Sequence, residues 1–320
     1  MLHVLLLLVA AGAIYLSCEL FVNAVEHLGR LWKVGTLAVG TVLAAVGTAL
    51  PESVVTAIAV TVGHEKDIGV GAAMGGPLAL ATIGYAAIGL ALLARRRGLP
   101  QVQARRLARD QAAFLAVFAC KVGLGLVAFA WKPWLGLLFL LGYGVYVVVE
   151  LRAPHESGDE LELEPLRLTR TSTPSALPVL VQALATLVVV FVASQVFVAQ
   201  LSWTGEQLGL APAVVALLLS PVATELPEVM NALIWVRQGK TQLALANVSG
   251  SMMVQATVPS GFGILFTRWE FDGPLLLSGL VTAGAIGYLL VTLRRGRLSA
   301  RRLAAAGGFY ALFAVLLPFV

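Results

Sequence analysis

Ten stretches of this 320-residue chain are apolar over enough residues to cross the roughly 30 Å hydrocarbon layer of a bilayer. They run over residues 2–24, 35–62, 68–94, 111–130, 134–151, 176–201, 211–236, 243–267, 274–293 and 303–320. Hydrocarbon offers the backbone no hydrogen bonds, so each stretch is predicted to be a helix that pairs its own N–H and C=O groups. With 59% hydrophobic residues, 12% charged residues and a mean hydropathy of +0.89, the chain lacks the polar residues to cover a soluble globule of its size. The expected fold class is an all-α polytopic membrane protein whose short loops pack the helices as one bundle, with the lipid bilayer as its surroundings.

The basic residues act as topology markers. Eighteen Lys and Arg fall on one side of the alternating loops, against Lys66, Lys132 and Arg268 on the other, with Lys121 inside a span. Lys and Arg concentrate in cytoplasmic loops, so both termini are expected outside. This placement, in short loops between apolar spans, turns the +5 net charge away from a nucleic-acid reading. All six tryptophans fall at or near predicted span ends, as interfacial belts do. Cys18 and Cys120 lie in apolar segments and are expected to be buried thiols, while His3, His27, His64 and His155 have no zinc or catalytic spacing and are expected at the surface. The first apolar run lacks the basic start of a secretion signal and is expected to remain as a span.

Two short runs interrupt this pattern. Val46–Ser53 reads V-G-T-A-L-P-E-S and Val222–Val229 reads V-A-T-E-L-P-E-V, each placing a carboxylate and a proline in mid-span. An intramembrane charge costs roughly 2.5–3.5 kcal/mol even on the lenient insertion scale. A helical proline leaves the carbonyl four residues back without its donor. Pro51 does this near Gly47 and Thr48, and Pro227 near Ala223 and Thr224. Glu52 and Glu228, with the carbonyls of Thr48 and Thr224, can therefore offer six oxygens, the lower bound of what calcium prefers.

A shift of 176 residues lays Thr48, Pro51 and Glu52 on Thr224, Pro227 and Glu228, and Ser17–Val22 on Ala193–Val198. Five spans per half is an odd number, so the second half enters the membrane upside down. Ten helices as two inverted five-helix repeats, residues 1–151 and 176–320, are an architecture of secondary transporters. Residues 152–175 between them are polar and carry Glu156, Asp159, Glu160, Glu162 and Glu164, without EF-hand spacing; a solvated cytoplasmic acidic linker is expected.

These motifs, G-T-A-L-P-E and A-T-E-L-P-E, each followed by a glycine-rich helix, resemble the sodium/calcium exchanger family of the calcium/cation antiporter superfamily, in a divergent prokaryotic-type form. The resemblance covers nearly the whole chain, with repeat motifs at residues 46–80 and 222–255. It implies a secondary antiporter, not an enzyme, in the cytoplasmic membrane of a prokaryote, that exchanges Ca2+ against Na+ by alternating access and needs no cofactor besides the transported ions. Carried over, Glu52 and Glu228 clasp the divalent ion with the carbonyls of Thr48 and Thr224. Asn247, Ser251 and Gln255, in A-N-V-S-G-S-M-M-V-Q, stand on one helix face and help hold the exchanged cation.

The chain departs from the family in its first copy, G-A-A-M-G-G-P-L-A-L, where Ala72, Gly76 and Leu80 replace the polar ligands. The motif serine is Ala49 in one copy and Glu225 in the other, and Glu225 is counted with the ligands. Sodium needs neutral oxygens in several pockets, whereas protons need only carboxylates. A Ca2+ (or other divalent cation)/H+ antiporter is therefore the alternative, as is a transport-impaired relative acting as sensor or scaffold. A membrane hydrolase would need a nucleophile or a metal-ligating set that does not accompany these motifs. Glu225 is a ligand or a partner of Lys121, and Glu19 a gating or a packing residue; no protein partner is inferable.

Overall fold

The computed structural model describes residues 2–61, 66–96, 104–153, 163–207, 209 and 218–320, without the side chains of residues 50–52, 54, 55, 58, 59, 66–69, 202, 206 and 220. All regular structure among the described residues is helical. In chain order the helices are α1 (Leu2–Leu31), α2 (Ala45–Thr61), α3 (Lys66–Ala79), α4 (Tyr85–Ala94), α5 (Ala104–Gly125), α6 (Gly136–Arg152), α7 (Ala176–Gln207), α8 (Leu226–Arg237), α9 (Thr241–Phe266), α10 (Gly273–Arg294), α11 (Ala300–Ala305) and α12 (Gly307–Leu316). A short helix, Ser220–Thr224, precedes α8. Among the described residues, six helical segments are long and apolar enough to cross a membrane: Leu2–Leu31, Val70–Ala94, Lys132–Arg152, Ala176–Gly205, Gly273–Arg294 and Ala300–Phe319. The protein is an integral membrane protein.

Helix α9 is the core of the bundle. It packs on α2, α3, α5, α6 and α8, and is buried around most of its circumference from Thr241 to Ile264. A helix apolar on every face is stable only when every face is covered. Close approach depends on glycine at two positions. A Cβ on Gly40 would stand 2.8 Å from Ala246 Cβ and 3.0 Å from the Leu243 carbonyl, and one on Gly250 would overlap the Thr41 backbone. Gly40 and Thr41 lie in a wide-turn segment, Val39–Ala44, whose i to i+5 bonding delivers the chain into α2; Ala45 N–H reaches back to the Gly40 carbonyl.

Helices α1 and α7 lie along one another at the edge of the bundle. Their outer faces carry Leu5, Leu8, Leu16, Leu177, Leu184 and Val188, all exposed, which suits contact with lipid rather than water.

The basic end is stitched by ion pairs. Buried Glu150 of α6 accepts from Arg106 at 2.7 Å and from Arg109, both on α5. Glu26 of α1 accepts from Lys240 at 2.6 Å and from Trp235 Nε1 at 2.8 Å. The described end of the linker is tied to α1, since Asn23 Oδ1 accepts from Arg167 N at 3.0 Å and His27 Nε2 lies 2.9 Å from the Glu164 carbonyl.

Several expectations are corrected here. His27 is buried because it holds the linker, and Cys120 is exposed on the outer face of α5 while Cys18 is buried. Trp32, Trp131 and Trp134 are exposed at helix ends, but Trp235 and Trp269 are buried and use their indole N–H groups to join helices. Glu19 pairs with Arg237. The two motif prolines also differ: the chain breaks at Glu225 between the short helix and α8, whereas α2 runs unbroken through Pro51. His64, His155 and most of the linker acids fall outside the described residues.

Gly250→Val is expected to lower stability by about 1–3 kcal/mol or prevent folding, through overpacking against Thr41. Gly142→Ala, where a Cβ meets nothing within 4 Å, is expected to leave the unfolding temperature in detergent unchanged.

Candidate functional site

The break before α8 places two acids in the interior. Glu225 sits in the break itself, and Glu228 in the first turn of α8, the end at which the helix dipole favours a negative charge. Glu228 is fully buried, and neither carboxylate oxygen has a hydrogen-bond partner among the described residues. Thr48 of α2 stands within interaction range of this carboxylate, though its hydroxyl is committed to the Ala44 carbonyl at 3.1 Å. The hydroxyl of Thr224 is likewise turned back onto its own helix, to the Pro221 carbonyl at 3.1 Å.

Helix α9 supplies the facing wall. Asn247 Nδ2 donates to the Glu228 carbonyl at 3.1 Å, which fixes the register of α8 against α9 and leaves Asn247 Oδ1 unpaired. One and two turns further on, Ser251 Oγ and Gln255 Oε1 are also buried and unpaired. Asn231, fully buried one turn beyond Glu228 on the same face of α8, has no partner for either side-chain polar atom among the described residues. Sequence reasoning missed it; the signal was an amide in an apolar run three residues after the motif glutamate.

Among the described residues, six oxygens without donors thus lie on one helix pair: two of Glu228 and one each of Asn231, Asn247, Ser251 and Gln255. An orphaned buried polar group costs about 1–3 kcal/mol, so folding leaves them unpaired only at a considerable cost. A hard cation binds oxygen donors of this kind, six to eight at a time.

Gln255 also joins the second acid. Its Nε2 donates to both oxygens of Glu225 at 2.6 Å. Gly76 of α3 makes room for this pair: a Cβ there would lie 2.6 Å from Gln255 Oε1 and 2.7 Å from Glu225 Oε1. The first-copy position that lacks a ligand is therefore filled from the second copy. Leu80 is buried in the apolar core. A cavity of about 100 Å3, lined by Thr56, Ala72, Ser194, Gln195, Thr224, Glu225 and Gln255, reaches this point, large enough for a small ion or a few waters.

The Glu52 side chain lies outside the described residues; its backbone belongs to α2, one turn beyond Thr48. Glu225 is not ion-paired to Lys121, whose ammonium instead contacts the Ala73 carbonyl and Ser260.

The sequence model of the family described as "Sodium/calcium exchanger protein" matches residues 2–152 and 178–319. The chain belongs to that family. Inner membrane protein YrbG of Escherichia coli K12 is 26% identical over 97% of this chain and 95% of its own length. The putative antiporter CaxA of Alkalimonas amylolytica is 26% identical over 88% and 87%. Among solved structures, the sodium-calcium exchanger NCX_Mj soaked with Na+ and no Ca2+ superposes with a TM-score of 0.76 at 21% identity, covering 99% of this chain and 98% of its own. The chain shares that fold.

An unpaired buried amide destabilises a protein that holds no cation. Asn231→Leu is therefore expected to raise the unfolding temperature in cation-free buffer, by the equivalent of about 1–3 kcal/mol. A drop instead would mean that Asn231 has a partner that stabilises the fold.

Proposed function

We propose that this member of the sodium/calcium exchanger family is a secondary active cation antiporter that exchanges Ca2+ for Na+ by alternating access. The observation that carries this reading is the set of buried oxygens on α8 and α9, Glu228 among them, that have no donor among the described residues. The relatives support it: one is named a putative antiporter, and the solved neighbour is a sodium-calcium exchanger.

In this reading Glu228 and Glu52 are the divalent ligands, and the carbonyls of Thr48 and Thr224 complete the shell. Asn247, Ser251, Gln255 and Glu225, with Asn231 added, serve the exchanged cations. Two carboxylates and one divalent ion are neutral together, so the loaded site can pass through the low-dielectric interior where a net charge is costly. The ten apolar runs form two inverted five-helix repeats, residues 1–151 and 176–320, joined by the linker, with the basic loops in the cytoplasm and both termini outside. The paired outer helices α1 and α7 are the moving elements, since lipid resists their displacement least.

A second reading, exchange of Ca2+ or another divalent cation against protons, is favoured by one observation. The first-copy positions that would offer neutral oxygens are Ala72, Gly76 and the core-packed Leu80. Protons would then use the carboxylates alone.

Purified protein in liposomes is expected to take up Ca2+ when an opposing Na+ gradient is imposed. Glu228→Gln and Glu52→Gln are each expected to cut that flux by about a hundredfold or more, because loss of one carboxylate leaves a buried divalent charge uncompensated. Uptake driven only by a proton gradient would select the second reading. Ca2+ binding without flux under either gradient would identify a transport-impaired relative.

A further inference from the structure

A hydroxyl on a membrane helix can be satisfied by donating back to the carbonyl four residues earlier. Helix α7 uses this solution twice, with Thr186 on Gln182 and Thr204 on Gln200, each at 2.7 Å. Ser194, between them on the same helix, does not. It is only 5% exposed, and its Oγ has no hydrogen-bond partner among the described residues. An orphaned buried hydroxyl is costly, so it calls for a ligand.

Ser194 lines the cavity of about 100 Å3 together with Glu225 and Gln255. Gln255 is fixed at two points. Its Nε2 donates to both oxygens of Glu225, and its backbone carbonyl, which Pro259 leaves without a helical donor, accepts from Ser260 Oγ at 3.2 Å. Its Oε1 remains without a donor among the described residues. The residues round the cavity therefore offer a hydroxyl oxygen from α7, an amide oxygen from α9 and one carboxylate from the break before α8. No Lys or Arg is among the described residues that line it. Oxygens suit a hard cation, and a single carboxylate balances a monovalent one, whereas a divalent ion would leave net charge in the dry interior.

The repeat sharpens the assignment. The shift of 176 residues lays Ser194 on Cys18, whose Sγ lies 3.7 Å from the Pro227 carbonyl. Soft thiol sulfur is a poor donor for a hard cation, so only the second half carries a suitable atom at this position.

We propose that Ser194 is a ligand that α7 contributes to a subsite for a sodium-sized monovalent cation in this cavity, completed by Gln255 and Glu225. Glu228 and Asn231 do not line the cavity, so the subsite is separate from them. That its ion is the exchanged one rests on the antiporter reading.

The test uses the full chain in detergent, with Na+ titrated against choline at constant ionic strength. Ser194→Ala removes the oxygen, and Ser194→Cys keeps the size but places sulfur there, as Cys18 does. Na+ is expected to raise the unfolding temperature of the unmodified protein, and both variants are expected to need about three- to tenfold more Na+ for the same rise. The Ca2+-dependent rise is expected to stay within about twofold. If all three proteins respond alike to Na+, or if Ser194→Cys behaves as the unmodified protein, the proposal is overturned. An equal shift in the Ca2+ response also overturns it, because it marks a structural role. Should Ser194→Ala fail to fold, Ser194→Cys carries the comparison. Ca2+ flux in liposomes judges the antiporter reading separately. Flux under a proton gradient without any stabilisation by Na+ keeps the antiporter and overturns the subsite. A Ser194-dependent Na+ response without flux under either gradient keeps the subsite and removes the antiporter.

Discussion

Polar groups inside a bilayer have no water to fall back on, so each must be paired within the protein or serve a purpose that justifies its cost. The bundle meets this constraint in two opposite ways. Toward the basic end, Glu26 and Glu150 are saturated by Lys, Arg and Trp donors. At Glu228 the carboxylate is left bare, together with amide and hydroxyl oxygens on α8 and α9. The contrast separates acids that hold helices together from an acid that no described donor neutralises.

The centre is held in register by contacts that leave those oxygens free. Asn247 uses its nitrogen on the Glu228 backbone and keeps its oxygen, and Gln255 does the same toward Glu225. Such use of amides fixes geometry with the donor end and leaves the acceptor end without a donor among the described residues. The proline breaks contribute as well. Their orphaned carbonyls on α3 and α9 are gathered by Lys121 and Ser260, which join two helices at the level of the site.

The two halves are less alike than their motifs. Around Pro51 the helix is continuous, whereas at Pro227 it breaks and exposes Glu225 to the interior. Gly76 gives up its own side chain and receives the carboxylate and amide of the other half. The space a side chain would need at Gly76 is thus taken by polar groups that come from Glu225 and Gln255.

Much of this was legible in the residues alone. Apolar length and hydropathy demanded membrane helices, because hydrocarbon permits little else, and an acid beside a proline in mid-span marked Glu228 and its motif as costly enough to be functional. Pairwise outcomes were not legible, since a helix face says what it offers and not what it meets. Asn231 reads as one more residue of α8, His27 and Trp235 read as superficial, and Glu225 is open between a cation ligand and a partner of Lys121. Only the packing of α3, α5 and α9 decides that Lys121 meets the Ala73 carbonyl and Ser260 while Glu225 meets Gln255, because which buried group finds which partner depends on contacts between helices far apart in the chain.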